Sequence, residues 1–192
     1  GANLRAGFDV DAGQPVIREL AVRRSGGRWV VLGRDLRPEF DVVSGVRRIS
    51  EQQLNPLRAL GLTDPKFLES EKWKAFWDAP LEVPGQKGTN PGLPRKPEEI
   101  RRASVRYQVS KCEVKTDGAR IEVSFPGLEL GIFSGKLMFT VYRGSNLLRQ
   151  EAVAKTEETS AAYKYDAGLK GFAIASAPRV RWRDTARAWQ KY

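Results

Sequence analysis

The sequence predicts a mainly β protein, an antiparallel β-sandwich carrying a short helical, Pro/Gly-rich insertion and a C-terminal helix. Three observations lead there. Apolar and polar residues alternate over two separate stretches, residues 3–49 and about 100–155, and a period of two marks a strand with one buried face. Glycine-containing turns punctuate both stretches at hairpin spacing. The second stretch holds four to five antiparallel strands, which cannot hide both faces alone, so the first stretch supplies a second sheet across a shared core.

The elements follow in chain order. Leu4, Ala6 and Phe8 alternate with polar neighbours, as do Leu20 and Val22; Trp29-Val30-Val31-Leu32 follows a Ser25-Gly26-Gly27 turn, and Phe40 and Val42 follow Pro38. Asp9-Val10-Asp11-Ala12-Gly13 has the start of a calcium loop but lacks a third acidic ligand, and Leu20 stands where a bidentate glutamate belongs, so it reads as a polar turn. From Ser50 the period changes. Ser50 and Gln53 make a capping-box pattern, with Pro56 limiting the helix that follows. Asp64-Pro65 is an N-cap with proline at the first helical position and predicts a helix over 65–77. Asp78 to Pro97 is too rich in proline and glycine for a regular element.

In the second half Val105, Tyr107 and Val109 alternate, and Cys112 and Val114 continue on the other parity, which predicts a bulge near Ser110-Lys111. A Thr116-Asp117-Gly118 turn leads into Ile121, Val123 and Phe125. Leu128, Leu130 and Ile132 come next, then Leu137, Phe139 and Val141, a Gly144-Ser145-Asn146 turn and a strand from Leu147 to about Lys155. Ala161 to Ala175 reads as strand, loop, strand. Trp182, Ala186 and Trp189 share a face if the tail is helical, with Asp184 as its cap. The chain is therefore read as one domain, 1–192, with hairpins over 1–49, the insertion over 50–98, the main antiparallel sheet over 99–175 and a tail helix over 176–192.

Composition narrows the chemistry. The 192 residues include 33 Lys and Arg against 23 Asp and Glu, a formal charge of +10, and no histidine. Without imidazole this chain by itself makes no Ser-His-Asp triad, Cys-His pair or His-ligated zinc site. Its single cysteine, Cys112, has no partner for an internal disulfide, forms no thiolate cage alone and is expected to be a small buried apolar residue. No cofactor and no metal is expected, and no apolar stretch reaches the length of a membrane span. Where the chain begins, at Gly1-Ala2 without a methionine, leaves open a removed leader, a tag remnant or a cut from a longer polypeptide.

Two passages carry a family resemblance. The run from Ala119 to Leu128, continued by Ser134-Gly-Lys-Leu-Met-Phe-Thr-Val-Tyr-Arg-Gly-Ser-Asn-Leu-Leu-Arg-Gln-Glu-Ala-Val-Ala154, resembles the paired strands of galactose mutarotase-like domains. In those, a strand ending in an x-Tyr-x-Gly-Ser-Asn turn returns as an apolar strand with an acidic residue. Gly7-Phe8-Asp9, Ile17 to Val22 and Gly27-Arg28-Trp29 resemble the opening hairpins of such domains, which often precede the catalytic domain of glycoside hydrolases. The resemblance covers about 80 residues and implies a supersandwich-like fold, a carbohydrate context and a secreted or periplasmic setting. It does not transfer the epimerase activity, because the family's histidines have no counterpart here. The helical middle, Ser50 to Pro97, departs from the family pattern.

Candidate site residues follow from these readings. Trp73 and Trp77, four residues apart on the predicted helix, make an aromatic platform for a sugar ring, although the residues favour the anchor face of a helix packed on the sandwich. Tyr142, Arg143, Arg149, Glu151 and Tyr165 complete the carbohydrate-binding set. Carboxylate pairs that serve a glycosidase without histidine are Glu39 with Asp41, Glu113 with Glu122, and Glu151 with Asp166. Tyr142, Arg143, Arg149, Lys164, Tyr165 and Lys170 are the groups with which a lyase eliminates across an anionic polysaccharide. The leading expectation is an accessory, non-catalytic carbohydrate-associated domain of a larger carbohydrate-processing protein, whose partners are carbohydrate or an adjoining catalytic domain. A lyase on anionic glycans is the alternative. A basic nucleic-acid or protein interaction module is a third reading, weakened because the cations are scattered in pairs such as Arg23-Arg24 and Arg47-Arg48 among acids.

Overall fold

A computed structural model describes residues 3–47, 49, 51–71, 100–173 and 181–191. Among the described residues the protein is mainly β, with antiparallel sheets and two short helices. Sheet one is built from β1 (Leu4–Asp11), β2 (Gln14–Arg23) and β3 (Trp29–Val46), with β4 (Arg101–Ser104) and β10 (Ala161–Lys170) added to the far half of β3. Sheet two holds β5 (Arg106–Tyr107), β6 (Glu113–Thr116), β7 (Arg120–Leu130), β8 (Phe133–Tyr142) and β9 (Leu148–Lys155). The order in sheet one is β1-β2-β3-β10, and in sheet two β5-β7-β8-β9 with β6 also on β7.

Alternation explains the packing. On β7, Val123 and Phe125 point inward, a shift at Pro126/Leu128 re-phases the strand, and Leu128 and Leu130 stay on the same face. Gly127 sits in that shift with a φ of 93°, where a Cβ would strike the Gln108 carbonyl. Leu137 and Phe139 on β8 lie opposite Phe125 and Val123. Sheet one answers with Leu4, Ile17, Leu20, Leu36, Phe40 and Val42, and these buried residues form one core with those of sheet two. Phe8 of β1 reaches across to both Phe139 (ring centroids 5.0 Å apart) and Phe125 (6.2 Å). The chain turns from one sheet to the other at Val105, whose N–H donates to the Phe40 carbonyl at 2.8 Å.

The Asp9–Gly13 segment is the tight β1–β2 turn, with Ala12 and Gly13 both at positive φ. Its carboxylates serve ion pairs: Asp9 accepts from Arg18 (2.9 Å), and Asp11 pairs with Arg37 (2.7 Å). The hydrogen bond from Arg18 holds the Asp9 carboxyl below the usual aspartate range. The two helices are α1 (Glu51–Ala59), with Pro56 inside it, and α2 (Pro65–Glu71). Asp64 caps α2 as expected, its Oδ1 accepting from Phe67 N–H at 2.9 Å. The remainder of the helix predicted to residue 77, and the Pro/Gly-rich stretch, lie outside the described residues.

Five expectations are corrected. The tail is not a helix: β11 (Arg181–Arg183) and β12 (Trp189–Lys191) form a hairpin. Asp184 caps its turn instead of a helix, accepting from Ala188 N–H (2.9 Å) and Gln190 Nε2 (2.8 Å), and the Arg183 guanidinium lies over the Trp189 ring. Ala161–Lys170 is one strand rather than two, because Gly168 stays in register opposite Glu39. That strand joins sheet one, so residues 99–175 divide between the two sheets instead of forming one. No bulge links Val109 to Val114; the chain leaves the sheet between β5 and β6. Cys112 is exposed, not buried, and Val114 is 63% exposed although it shares a face with buried Val123. Parity sets which way a side chain points, but covering it takes an opposing sheet, and no described residue buries Val114.

Candidate functional site

The sandwich is open along one flank. β9 is the last strand of sheet two and β10 the last of sheet one, and a groove of about 410 Å³ lies between them. Phe40, Val42, Leu130 and Phe133 line it from the core side. Tyr163 and Tyr165 stand on the inner face of β10, opposite Ser44 and Val42, yet are 54% and 59% exposed, and no strand of the described residues covers them. The Phe133 ring meets Tyr163 edge-on at 5.1 Å, and the Tyr163 and Tyr165 rings are 6.5 Å apart. Ala152, Ala154 and Ala167 line the remaining wall, and their short side chains leave the space that the groove occupies.

The polar groups come from β9. Arg149 pairs with Glu151 and neighbours the Tyr142 side chain; the Tyr142 side chain first, and the Glu151 charge second, raise the guanidinium's pKa above the ordinary arginine value. Gln150 Nε2 donates to the Gly168 carbonyl at 3.1 Å and so ties the two edge strands together. Its Oε1 is buried with no hydrogen-bond partner. Ser44, across from Tyr163 and 1% exposed, also has a hydroxyl without one. Buried polar atoms normally find partners, and the Gln150 acceptor belongs to a residue that lines the groove.

Of the residues singled out from sequence, Arg149, Glu151 and Tyr165 line this groove, and Tyr142 joins them through Arg149. Arg143 does not: it lies beside Ala119 and Arg120 near the β6–β7 turn, its N–H donating to the Ala119 carbonyl. Trp73 and Trp77 lie outside the described residues. Lys164 and Lys170 are on the opposite face of β10 from the tyrosines, which divides the lyase set, and Lys170 pairs with Glu39 at 3.1 Å.

None of the three carboxylate pairs named from sequence lies together in this groove. Glu39 is taken by Lys170, and Asp41 accepts from the Ser104 hydroxyl at 2.6 Å. Glu113 and Glu122 pair with Lys111 (3.5 Å) and Arg120 (3.2 Å). Asp166 sits on the outer face of β10, while Glu151 borders the groove.

Sequence reasoning missed Gln150, Phe133 and the role of Tyr163. The available signal was the alternation Tyr163, Tyr165, Ala167 against Lys164, Asp166, which puts both rings on one face. No family model, curated protein or solved structure matches the chain.

Proposed function

We propose that this chain is a non-catalytic, carbohydrate-associated β-sandwich domain of a larger carbohydrate-processing protein, and that the β9–β10 groove receives the saccharide. The observation that carries the reading is the pair of half-exposed tyrosine rings on the inner face of an edge strand. Aromatic faces stack on the C–H faces of pyranose rings, while hydroxyls at the ring's edge need both donors and acceptors. Gln150 and the Arg149–Glu151 pair line the same space and offer both kinds.

A non-catalytic role fits the charges. Glu151 is the one carboxylate lining the groove among the described residues and is held by Arg149. Glycoside hydrolysis by carboxylates calls for a facing pair about 5–10 Å apart. The strand pattern resembling mutarotase-like domains agrees with this assignment.

Calorimetric titration of the full chain with a panel of neutral and uronate-containing oligosaccharides tests it. Binding that weakens about tenfold or more in Tyr165→Ala, as expected for the loss of a stacking face, and that is unchanged in Val114→Ser far from the groove, supports the reading. Absence of binding to every member, or binding indifferent to Tyr165, overturns it.

A further inference from the structure

Strand β10 is ten residues long and pairs with β3 on one side. On its other side no strand of the described residues meets it. Such an edge offers a row of unpaired N–H and C=O groups, and proteins that keep an edge single use proline, a bulge or charges that repel an approaching copy. β10 has no proline and no register shift from Ala161 to Lys170.

Its outer face carries Lys164 and Asp166, opposite signs two positions apart. Across the ladder Lys164 faces Val43, while Asp166 faces Asp41, and like charges directly opposite one another destabilise a strand pair. Asp41 is relieved by the Ser104 hydroxyl. Among the described residues, neither Asp166 nor Lys164 has an ion pair. The open side of both is the free edge. On β9, the other edge of the groove, Arg149 and Glu151 already satisfy each other.

We propose that β10 is a dimer edge: it pairs antiparallel with the β10 of a second copy about a two-fold axis at Tyr165, making the two first sheets continuous. In that register Lys164 of each copy faces Asp166 of the other and supplies it with a cation. Tyr163 falls opposite Ala167, large against small. Centring the axis one residue either way would set Lys164 against itself or Asp166 against itself, so the charges select the register as well as the partner. On the inner face the same axis sets Tyr165 against Tyr165 beside the groove, but the register is selected by Lys164 and Asp166 on the outer face and does not depend on the saccharide reading.

Sedimentation velocity on the full chain over a concentration series tests this, with near-ultraviolet circular dichroism confirming that each variant is folded. Wild type is expected to dimerise reversibly. Lys164→Glu and Asp166→Lys each reverse both symmetry-related ion pairs and should each weaken the dimer about tenfold or more. The double exchange Lys164→Glu/Asp166→Lys rebuilds the pairs with signs swapped and should recover the association to within about threefold. A wild type that stays monomeric at all concentrations overturns the proposal. So does a dimer indifferent to the single variants, or a double variant as weak as either single one.

Discussion

Two pairs of aromatic residues face the inside of this sandwich and meet opposite fates. Phe125 and Phe139, on the central strands β7 and β8, are 0% and 1% exposed and stack edge to face at 6.3 Å. Tyr163 and Tyr165, on the inner face of β10, are more than half exposed. The local pattern is alike in both places, two aromatics on one face, at alternate positions of one strand or diagonally across neighbouring strands. What differs is coverage. β7 and β8 lie beneath sheet one, with Phe8 in contact with both phenylalanines, whereas β10 overhangs the edge where sheet two stops at β9. The same chemical choice therefore builds a core in one place and an exposed aromatic face in the other.

The sharpest way to break the comparison is to truncate one ring of each pair. Phe125→Ala should cost about 3–5 kcal/mol in a denaturant titration, since it empties a site sealed on every side. Tyr165→Ala should change stability by no more than about 1 kcal/mol, its effect appearing in saccharide affinity instead. Equal losses at the two positions would mean that the flank is closed in solution.

A smaller loss is expected at Gly135, where β8 passes close under β9. A Cβ there would overlap the Val153 carbonyl and come within 2.8 Å of Ala154 Cα. Gly135→Ala should therefore push β9 away from its neighbour, at a cost of about 1–3 kcal/mol. Because β9 is also a wall of the groove, affinity for the saccharide should fall with it, in contrast to a core truncation that leaves the fold intact.

The smallest effect concerns pH. The link between β9 and β10 carries Glu158, which receives a forked hydrogen bond from Arg101 of β4. That bond lowers the Glu158 pKa below its ordinary value of 4.5. A depressed carboxylate stabilises the fold above the unfolded value and loses that contribution as pH falls through 4.5 towards the folded one. Both side chains are more than a third exposed, so solvent screening keeps the effect small. Thermal melts of wild type and Glu158→Gln from pH 7 to pH 3 should converge at the acid end and differ above it.

Much of the fold was legible from particular residues. The Thr116-Asp117-Gly118 turn forms because Asp117 Oδ1 accepts from the N–H groups of both Ala119 and Arg120. Those local bonds lower the Asp117 pKa and need no tertiary partner. The Asp64-Pro65 helix start reads equally well for the same reason. The tail was not legible. Trp182, Ala186 and Trp189 fit a helical face, but Asp184 closes a hairpin turn with Ala188 just as readily, and both conformations use the same capping chemistry. At the candidate site, Arg149, Glu151 and Tyr165 were recognisable as residue types suited to a sugar. Gln150 was not, because its significance lies in reaching Gly168 of another sheet and in an acceptor left without a partner.

The sequence alone determined most strands of the two alternating stretches, the turns between them and the side their residues face, since period-two alternation and turn chemistry act over a few bonds. Only the tertiary structure decided that Ala161–Lys170 would return to β3 instead of following β9, and with that the position of the open flank. Strand pairing over more than a hundred residues of separation depends on which edge remains free once the core has closed. A linear pattern encodes the direction of a side chain but not the layer that comes to lie over it.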